Sequence, residues 1–168
     1  MKLSPQGIDL LKWIEQLRLK PYDDQTGLPI KDWIRGATIG YGHLITSPNW
    51  SLYKDGIDEK EADFLFADDL LVREEIVNGT IKVPIEQHQY DALILLLYNT
   101  PTTLFMGSSA VRMINNPEIP TKFSTLEKAW KAWNKSTNNK GELYVNPGLV
   151  NRRASEWKLY SQGIYERW

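Results

Sequence analysis

The sequence predicts an α+β fold with a small lobe and a larger helical lobe. Three observations predict it: a helical pattern opens the chain, glycine and proline concentrate between residues 21 and 48, and helical patterns fill most of the remainder. We expect one domain over all 168 residues. Within it, residues 1–56 form a β-containing lobe, 57–80 a connecting helix and 81–168 a helical lobe.

The first element is predicted to be a helix from Pro5 to Gln16. Ser4 is a typical N-cap, Pro5 suits the first helical position, and apolar residues recur at helical spacing. Glu15 falls at the end of this helix, where carbonyl dipoles disfavour a negative charge, and apolar neighbours would desolvate it. Both effects favour the protonated carboxyl that a general acid needs. An ordinary surface glutamate at a helix end is the alternative.

The glycine-rich and proline-rich stretch over residues 21–48 predicts a small, irregular antiparallel sheet. Asp23 and Asp24 lie in a turn-like stretch, where aspartates commonly accept hydrogen bonds from nearby amides. Thr38 begins a β-prone stretch and is, by itself, simply a good strand residue. Taken singly, these residues do not identify a site.

A connecting helix of about twenty residues is predicted next, because Asp58 and Glu61 form a capping-box pattern and Asn78-Gly79 is a stop signal. Its expected apolar stripe consists of Ala62, Leu65, Phe66, Val72 and Ile76. The stripe places one side of this helix against the core.

Asp69 falls on the same stripe and needs a partner, because an unpaired buried carboxylate is costly. Two partners are open, His43 and Arg73. Gly40 and Gly42, just before His43, are expected to supply backbone freedom or close approach rather than chemistry.

The C-terminal part is predicted to be mostly helical. The stretch "QHQYDALILLLYN" is apolar nearly all round and predicts a buried central helix, while "GLVNRRASEWKLY" predicts a closing helix. Between them, a capping box from Ser124 to Glu127 predicts a further helix, and the Asn-rich and Gly-rich segment from Ser136 to Pro147 predicts a loop.

Composition excludes several classes of site. The chain has no cysteine and only two histidines, which excludes a thiolate metal site and argues against a multi-histidine one, so we expect no metal and no cofactor. A net charge of −1 argues against a dedicated nucleic-acid binder. Its longest apolar run is far short of the ~20 residues of a membrane-spanning helix, and the N-terminus lacks an uninterrupted apolar region. We therefore expect no stable membrane insertion and no signal peptide.

Two stretches read together, "IEQLRLKPYDD" and "ATIGYGHL", resemble the phage-type lysozymes (endolysins, glycoside hydrolase family 24). That family shows a Glu, a short apolar and basic segment, Tyr-x-Asp, and then Thr-Ile-Gly-x-Gly-His. The stretches "ADFLFADDL", "VPIEQHQYDAL" and "GLVNRRASE" extend the resemblance over most of the chain. The resemblance implies a lysozyme-like fold.

The resemblance also implies a muramidase that hydrolyses the β-1,4 bond between N-acetylmuramic acid and N-acetylglucosamine in peptidoglycan and so lyses the host cell. It makes Glu15 the general acid, Asp24 the second carboxylate and Thr38 a holder of the attacking water, with inversion at the anomeric carbon. Such a division between two carboxyl groups fits glycoside hydrolysis, and a threonine hydroxyl can hold a water. His43 is expected to be structural.

Three departures from the family pattern bear on this assignment. Gln16 stands where the family has glycine after the catalytic Glu, and Thr-Pro in "LLLYNTPTT" replaces an apolar residue and glycine. The spacer "QTGLPIKDWIRGA" between Asp24 and Thr38 is longer than usual. We expect an extended hairpin there, with Trp33 or Arg35 at its tip as candidate substrate-binding residues.

Two other functions remain open on the same sequence. A lytic transglycosylase needs the acid but no water-positioning carboxylate, and a non-catalytic peptidoglycan-binding module would have a lapsed site. For a lytic enzyme we expect a monomer that acts on peptidoglycan glycan strands. It would be made in the bacterial host cytoplasm and reach the wall after a separate holin-type partner permeabilises the membrane.

Overall fold

The computed structural model describes residues 1–138 and 140–167, and its helices and strands confirm the predicted α+β class. The helices are α1 (Pro5–Glu15), α2 (Trp50–Tyr53), α3 (Glu59–Thr80), α4 (Gln87–Tyr98), α5 (Thr102–Met106), α6 (Ser109–Asn115), α7 (Leu126–Lys131) and α8 (Pro147–Gln162). The strands are β1 (Arg18–Asp23), β2 (Ala37–Gly40), β3 (His43–Leu44), β4 (Lys135–Thr137) and β5 (Leu143–Val145). Asn139 and Trp168, which fall within the predicted loop and helical lobe, lie outside the described residues.

The chain divides into two compact units. The sheet unit is Leu11–Val72, and the helical unit is Met1–Leu10 together with the residues from Arg73 onward. Helices α1 and α3 each contribute residues to both units. The assignment of the chain to a single domain stays a prediction.

The sheet unit contains the predicted irregular antiparallel sheet. β1 pairs with β2 and β2 pairs with β3, with a register irregularity between Arg18 and Tyr22. A small core lies beneath it, made of the fully buried Ala37, Ile39 and Ile45 and the partly buried Ile30, Trp50, Tyr53, Ile57 and Leu65. This core fixes the position of β2, the strand that carries Thr38.

Helix α1 begins as predicted, at the Ser4-Pro5 pair. The Ser4 hydroxyl accepts a hydrogen bond from the Gly7 amide at 3.0 Å, which satisfies one of the free amides of the first turn. The helix ends at Glu15, one residue earlier than predicted.

Helix α3 has the predicted capping box: the Glu61 amide donates to Asp58 Oδ1 at 2.8 Å, and the Asp58 amide donates to Glu61 Oε2 at 3.0 Å. The helix continues past the expected stop at Asn78-Gly79 to Thr80. The predicted stripe is wrong at Val72, which is 55% exposed.

The buried residues of α3 are Ala62, Phe66, Leu70, Glu74 and Val77. Most of these residues are four apart, which is more than one helical turn of about 3.6 residues. The buried face therefore rotates gradually around the helix axis. A prediction that keeps the apolar face at one fixed angle fails toward the end of the helix.

The helical unit is built around α4, where every residue from Tyr90 to Leu97 is buried, as predicted for the central helix. The closing helix is also confirmed, since α8 runs from Pro147 to Gln162 and packs against α4. Glu156 of α8 is fully buried within this unit.

Two predictions for the helical unit are wrong. The N-cap of α7 is Thr125 rather than Ser124, because the Thr125 hydroxyl accepts the Lys128 amide at 3.2 Å. The segment predicted as a loop contains a hairpin, in which β4 and β5 pair antiparallel with Ser136 opposite Tyr144. The β-prone run "LYV" forms the second strand.

Candidate active site

Glu15 is the last residue of α1 and is partly buried. The Gln16 amide closes the final turn by donating to the Lys12 carbonyl at 3.0 Å. This turn fixes the backbone of Glu15 at the carbonyl end of the helix, where the sequence placed it.

Gln16 adopts a left-handed backbone conformation with φ of 55°, and among the described residues it is the only non-glycine with positive φ. The family pattern has glycine at this position, and glycine takes this conformation without strain. Gln16 therefore keeps the backbone path that glycine would give, at a cost of about 1 kcal/mol. The path of the chain after Glu15 does not depend on having glycine here.

Strand pairing brings Thr38 opposite Tyr22, and Asp23 opposite Ala37. The Asp24 amide continues the pairing by donating to the Gly36 carbonyl at 3.1 Å. Because side chains alternate along a strand, Asp24 and Tyr22 share the sheet face on which Thr38 lies. The spacer thus ends with Thr38 on the strand that pairs with β1.

Tyr22 links this face to Glu15. Burial, and then the charges of Asp24 and Glu15, raise the pKa of its phenol to about 12, with Arg18 acting in the opposite direction. Both carboxyl groups therefore lie within electrostatic range of one tyrosine hydroxyl. Thr38 is the cross-strand partner of the same tyrosine.

The sequence motif gives Tyr22 no role beyond its place in Tyr-x-Asp. Its relation to the predicted catalytic residues follows from the strand register. Residues 22 and 24 share a face, and residue 22 pairs with residue 38. Register across a spacer of unusual length cannot be read from sequence, because it depends on where the spacer bends.

Thr38 is buried, with 3% of its surface exposed, and its hydroxyl donates to the Gly36 carbonyl at 2.9 Å. The hydroxyl proton is therefore used within the protein. The hydroxyl oxygen still has a lone pair, so Thr38 can accept a hydrogen bond from a bound water.

The two neighbouring aspartates differ in their surroundings. Asp23 accepts the Gln25 amide at 3.0 Å and the Thr26 hydroxyl at 2.7 Å, and these bonds hold the pKa of its carboxyl below the usual value. The pKa of the Asp24 carboxyl is raised, first by desolvation and then by the charge of Asp23. The residue as a whole is exposed. Asp23 stabilises the turn, and Asp24 has the environment of a reactive group.

The spacer does not form the extended hairpin that we expected. The chain turns at once, with the Gly27 amide donating to the Asp23 carbonyl at 2.7 Å, and returns along β1, where Pro29 bridges Tyr22. The Ile30 amide then donates to the Pro21 carbonyl at 3.1 Å. The turn chemistry of Asp23 and the burial of Ile30 in the core favour this compact path.

Trp33 and Arg35 are consequently not at the tip of a hairpin. The Trp33 indole donates to the Ile45 carbonyl at 2.9 Å and is 39% exposed, which fixes an aromatic surface within the sheet unit. Arg35 is exposed. Their role in substrate binding stays a prediction.

His43 contacts Asp69, with 3.0 Å between Nδ1 and Oδ2. The His43 ring also packs edge-on against Tyr53, with ring centroids 5.8 Å apart. The other candidate partner, Arg73, lies over the Tyr98 ring at 4.0 Å. The contact with Asp69 joins β3 to α3, and the structural role of His43 stays a prediction.

Gly40 and Gly42 have φ of 66° and 86°. Both lie in the left-handed region that favours glycine, at the turn between β2 and β3. Within residues 1–138 and 140–167, no cluster of three or more His, Cys, Asp or Glu side chains is arranged to hold a metal ion. In that same part of the chain, every helix is too short or too polar to cross a bilayer.

Comparison with known proteins gives consistent matches. The family described as phage lysozyme matches residues 12–156. The chain is 36% identical over 165 residues to the endolysin of Bacillus phage PZA, covering 97% of this chain and 56% of that relative. It thus spans about half the length of that curated relative.

Two solved structures match over nearly their full length. The endolysin from Escherichia coli O157:H7 phage FAHEc1 has a TM-score of 0.77 and 30% identity, with 99% of this chain and 98% of that chain covered. The muramidase domain of SpmX from Asticaccaulis excentricus has a TM-score of 0.73 and 29% identity, with 96% and 98% covered. The fold expected from the sequence is the fold of these proteins.

Proposed function

This chain belongs to the phage lysozyme family, and from that membership we propose that it is a muramidase. It hydrolyses the β-1,4 bond between N-acetylmuramic acid and N-acetylglucosamine in bacterial peptidoglycan and thereby lyses the host cell. The observation that supports the proposal is the pairing of Tyr22 with Thr38, because the charges of Asp24 and Glu15 both act on that tyrosine.

Glu15 is the general acid. It donates its proton to the glycosidic oxygen as the bond from that oxygen to the anomeric carbon breaks. Its place at the carbonyl end of α1 supports this role, because the helix dipole disfavours the ionised carboxyl there.

Asp24 is the general base. It takes a proton from the attacking water while the water oxygen bonds to the anomeric carbon. The Thr38 oxygen accepts a hydrogen bond from the other water proton, which leaves a water lone pair free to attack. The raised pKa of Asp24 supports this assignment, since a base must be able to hold a proton. The carboxyl of Asp23 is already engaged by Gln25 and Thr26.

Direct attack by water from the face opposite the leaving group inverts the anomeric configuration. Proton NMR of a soluble peptidoglycan oligosaccharide during cleavage should therefore show the α-anomer as the first product. A β-anomer appearing first would overturn the roles given to Asp24 and Thr38 while leaving the muramidase activity in place.

The decisive experiment compares the wild type with Glu15→Gln on purified peptidoglycan. Loss of the general acid should lower the rate about 10²- to 10⁴-fold while the protein stays folded. Glu75→Gln, at an exposed position on α3, is the matched control and should act like the wild type. A Glu15→Gln variant that solubilises peptidoglycan at near wild-type rate would refute the proposal.

Mass spectrometry of the same digests separates the other two functions. Reducing-end muramic acid indicates hydrolysis, whereas a 1,6-anhydro end indicates a lytic transglycosylase. Binding to peptidoglycan with neither product would indicate a non-catalytic module. The Asp24 and Thr38 arrangement favours hydrolysis, because a transglycosylase has no use for a held water.

We further propose that the protein acts as a monomer on peptidoglycan glycan strands. It is made in the bacterial host cytoplasm and depends on a separate holin-type partner to pass the membrane. Lysis of cells expressing the protein with and without a membrane-permeabilising agent tests this dependence, and lysis in the agent's absence would contradict it.

A further inference from the structure

Tyr22 lies at the centre of the candidate site, and the proposed acid and base chemistry does not use it. Its side chain shares a sheet face with Asp24 and pairs across the strands with Thr38. Cross-strand partners have Cβ atoms about 5 Å apart, and a tyrosine ring reaches beyond the much shorter threonine side chain. The Tyr22 hydroxyl therefore reaches farther from the sheet than the Thr38 side chain does.

The ring of Tyr22 is held in place from one side. The Arg18 guanidinium lies 4.9 Å from the ring centroid, and Arg18 Nη1 in turn donates to the Gly27 carbonyl at 2.9 Å. The ring is also partly buried, and Pro29 bridges the backbone of Tyr22. These contacts give the hydroxyl a fixed position, as a group that orients a ligand requires.

Glu15 and Asp24 influence the hydroxyl through their charge, rather than as hydrogen-bond acceptors. Its pKa, raised to about 12, keeps the phenol protonated at neutral pH. The hydroxyl is thus a neutral donor that lies near both reacting carboxyl groups and is not engaged by either of them.

We propose that Tyr22 is a substrate-positioning residue, whose hydroxyl donates a hydrogen bond to the sugar unit held between Glu15 and Asp24. This inference rests on the proposed function and adds a substrate contact to it. No proton is transferred and no covalent bond forms at Tyr22. The hydrogen bond holds the sugar in the site to the same extent in the ground state and in the transition state.

Tyr22→Phe removes the hydroxyl and keeps the ring that packs beside Arg18. On a soluble oligosaccharide of alternating N-acetylglucosamine and N-acetylmuramic acid, KM should rise about 3- to 10-fold, the value of one neutral hydrogen bond. The kcat should stay within about twofold, because a bond made equally in ground and transition states changes KM alone. An unchanged KM, or a loss confined to kcat, would overturn the proposal.

Tyr41→Phe is the matched control. Tyr41 lies in the same unit and also has a cation, Lys12, 4.9 Å from its ring centroid. Its variant should keep the wild-type KM and kcat. Thermal unfolding of both variants detects any loss of folding, and an equal rise of KM in both would count against a specific contact at Tyr22.

Binding measured without turnover separates this proposal from the proposed function. Calorimetric titration of the same oligosaccharide into Glu15→Gln and into Glu15→Gln/Tyr22→Phe should show about 3- to 10-fold weaker binding for the double variant. Equal binding would refute the role of Tyr22 while leaving the muramidase assignment intact. Full activity of Glu15→Gln would instead refute the proposed function.

Discussion

In the helical unit, the fully buried carboxylate of Glu156 is surrounded by hydrogen-bond donors. Its Oε1 atom accepts Arg152 Nε at 3.1 Å and Arg153 Nη2 at 2.7 Å, and its Oε2 atom accepts the Trp130 indole at 3.2 Å. Asp91, also fully buried, is surrounded in a similar way by donors from Ser4, Gln87 and Tyr165. In the sheet unit, by contrast, Asp24 is exposed and the protein raises its pKa.

The difference separates carboxylates that stabilise the fold from those suited to chemistry. A buried carboxylate with several donors has its hydrogen-bonding capacity filled, and it contributes to stability only together with those donors. A carboxylate with a raised pKa costs stability when ionised, and it is ready to accept a proton. The comparison predicts opposite effects on stability when the two kinds of carboxyl group are neutralised.

The largest expected effect is at Glu156. Glu156→Gln removes the negative charge that two buried guanidinium groups face, and this should lower the free energy of unfolding by about 3 to 5 kcal/mol. For a chain of this size, thermal unfolding should begin about 10 °C lower. Glu127→Gln breaks only the exposed ion pair with Lys131 and should cost less than about 1 kcal/mol. Equal melting of the two variants would contradict the comparison.

The next effect concerns activity at Asp24. Asp24→Asn should lower the rate of peptidoglycan cleavage about 10²- to 10⁴-fold, because no base then accepts the proton of the attacking water. Thermal stability should rise slightly at neutral pH, by less than about 1 kcal/mol after solvent screening, because the desolvated charge is gone. That gain should disappear as the pH falls through the raised pKa of Asp24, where the wild type also becomes neutral.

Asp23→Asn is the matched control for Asp24 and should give the opposite pattern. Its cleavage rate should change little, while its stability should fall, because the ionised carboxyl holds Gln25 and Thr26 in the turn. The lowered pKa of Asp23 means that this stabilisation is present above the unfolded value and is lost as pH falls through the folded one. Cleavage assays and thermal melts at several pH values check both variants, and the reverse order of activities would move the base to Asp23.

Much of this arrangement could be predicted from local signals. The Ser4-Pro5 start of α1, the capping box of α3 and the buried run of α4 each depend on residues close together in sequence. The resemblance to the phage-type lysozymes also assigned Glu15, Asp24 and Thr38 before their positions were known.

What could not be predicted depends on contacts distant in sequence. The packing of Ile30 against the core and the hydrogen bond from Trp33 to Ile45 set the path of the spacer. Along α3, the elements that pack against the helix decide which residues are buried, and those residues do not lie at one constant angle. The hairpin of β4 and β5 falls in a segment whose sequence predicts a loop, because Ser, Asn and Gly are typical of turns and only "LYV" is β-prone. The position of Tyr22 opposite Thr38 depends on the strand register, which a local sequence pattern does not contain.

The smallest expected effect compares two helix ends. In the helical unit, α8 is followed by Gly163, whose φ of 70° glycine adopts without strain, whereas α1 is followed by Gln16 with φ of 55°. Gln16→Gly should raise the free energy of unfolding by about 0.5 to 1 kcal/mol, since the strain removed exceeds the entropy that glycine adds to the unfolded chain.

Thermal unfolding should shift upward by about 1 to 4 °C in Gln16→Gly. Gly163→Gln is the reverse change and should be destabilising through its positive φ, because a Cβ atom there would make only ordinary contact with the His88 ring. If Gln16→Gly melts at or below the wild-type temperature, the Gln16 side chain makes contacts that offset its strain. If it melts higher with unchanged cleavage, the strain beside Glu15 is a stability cost that catalysis does not require.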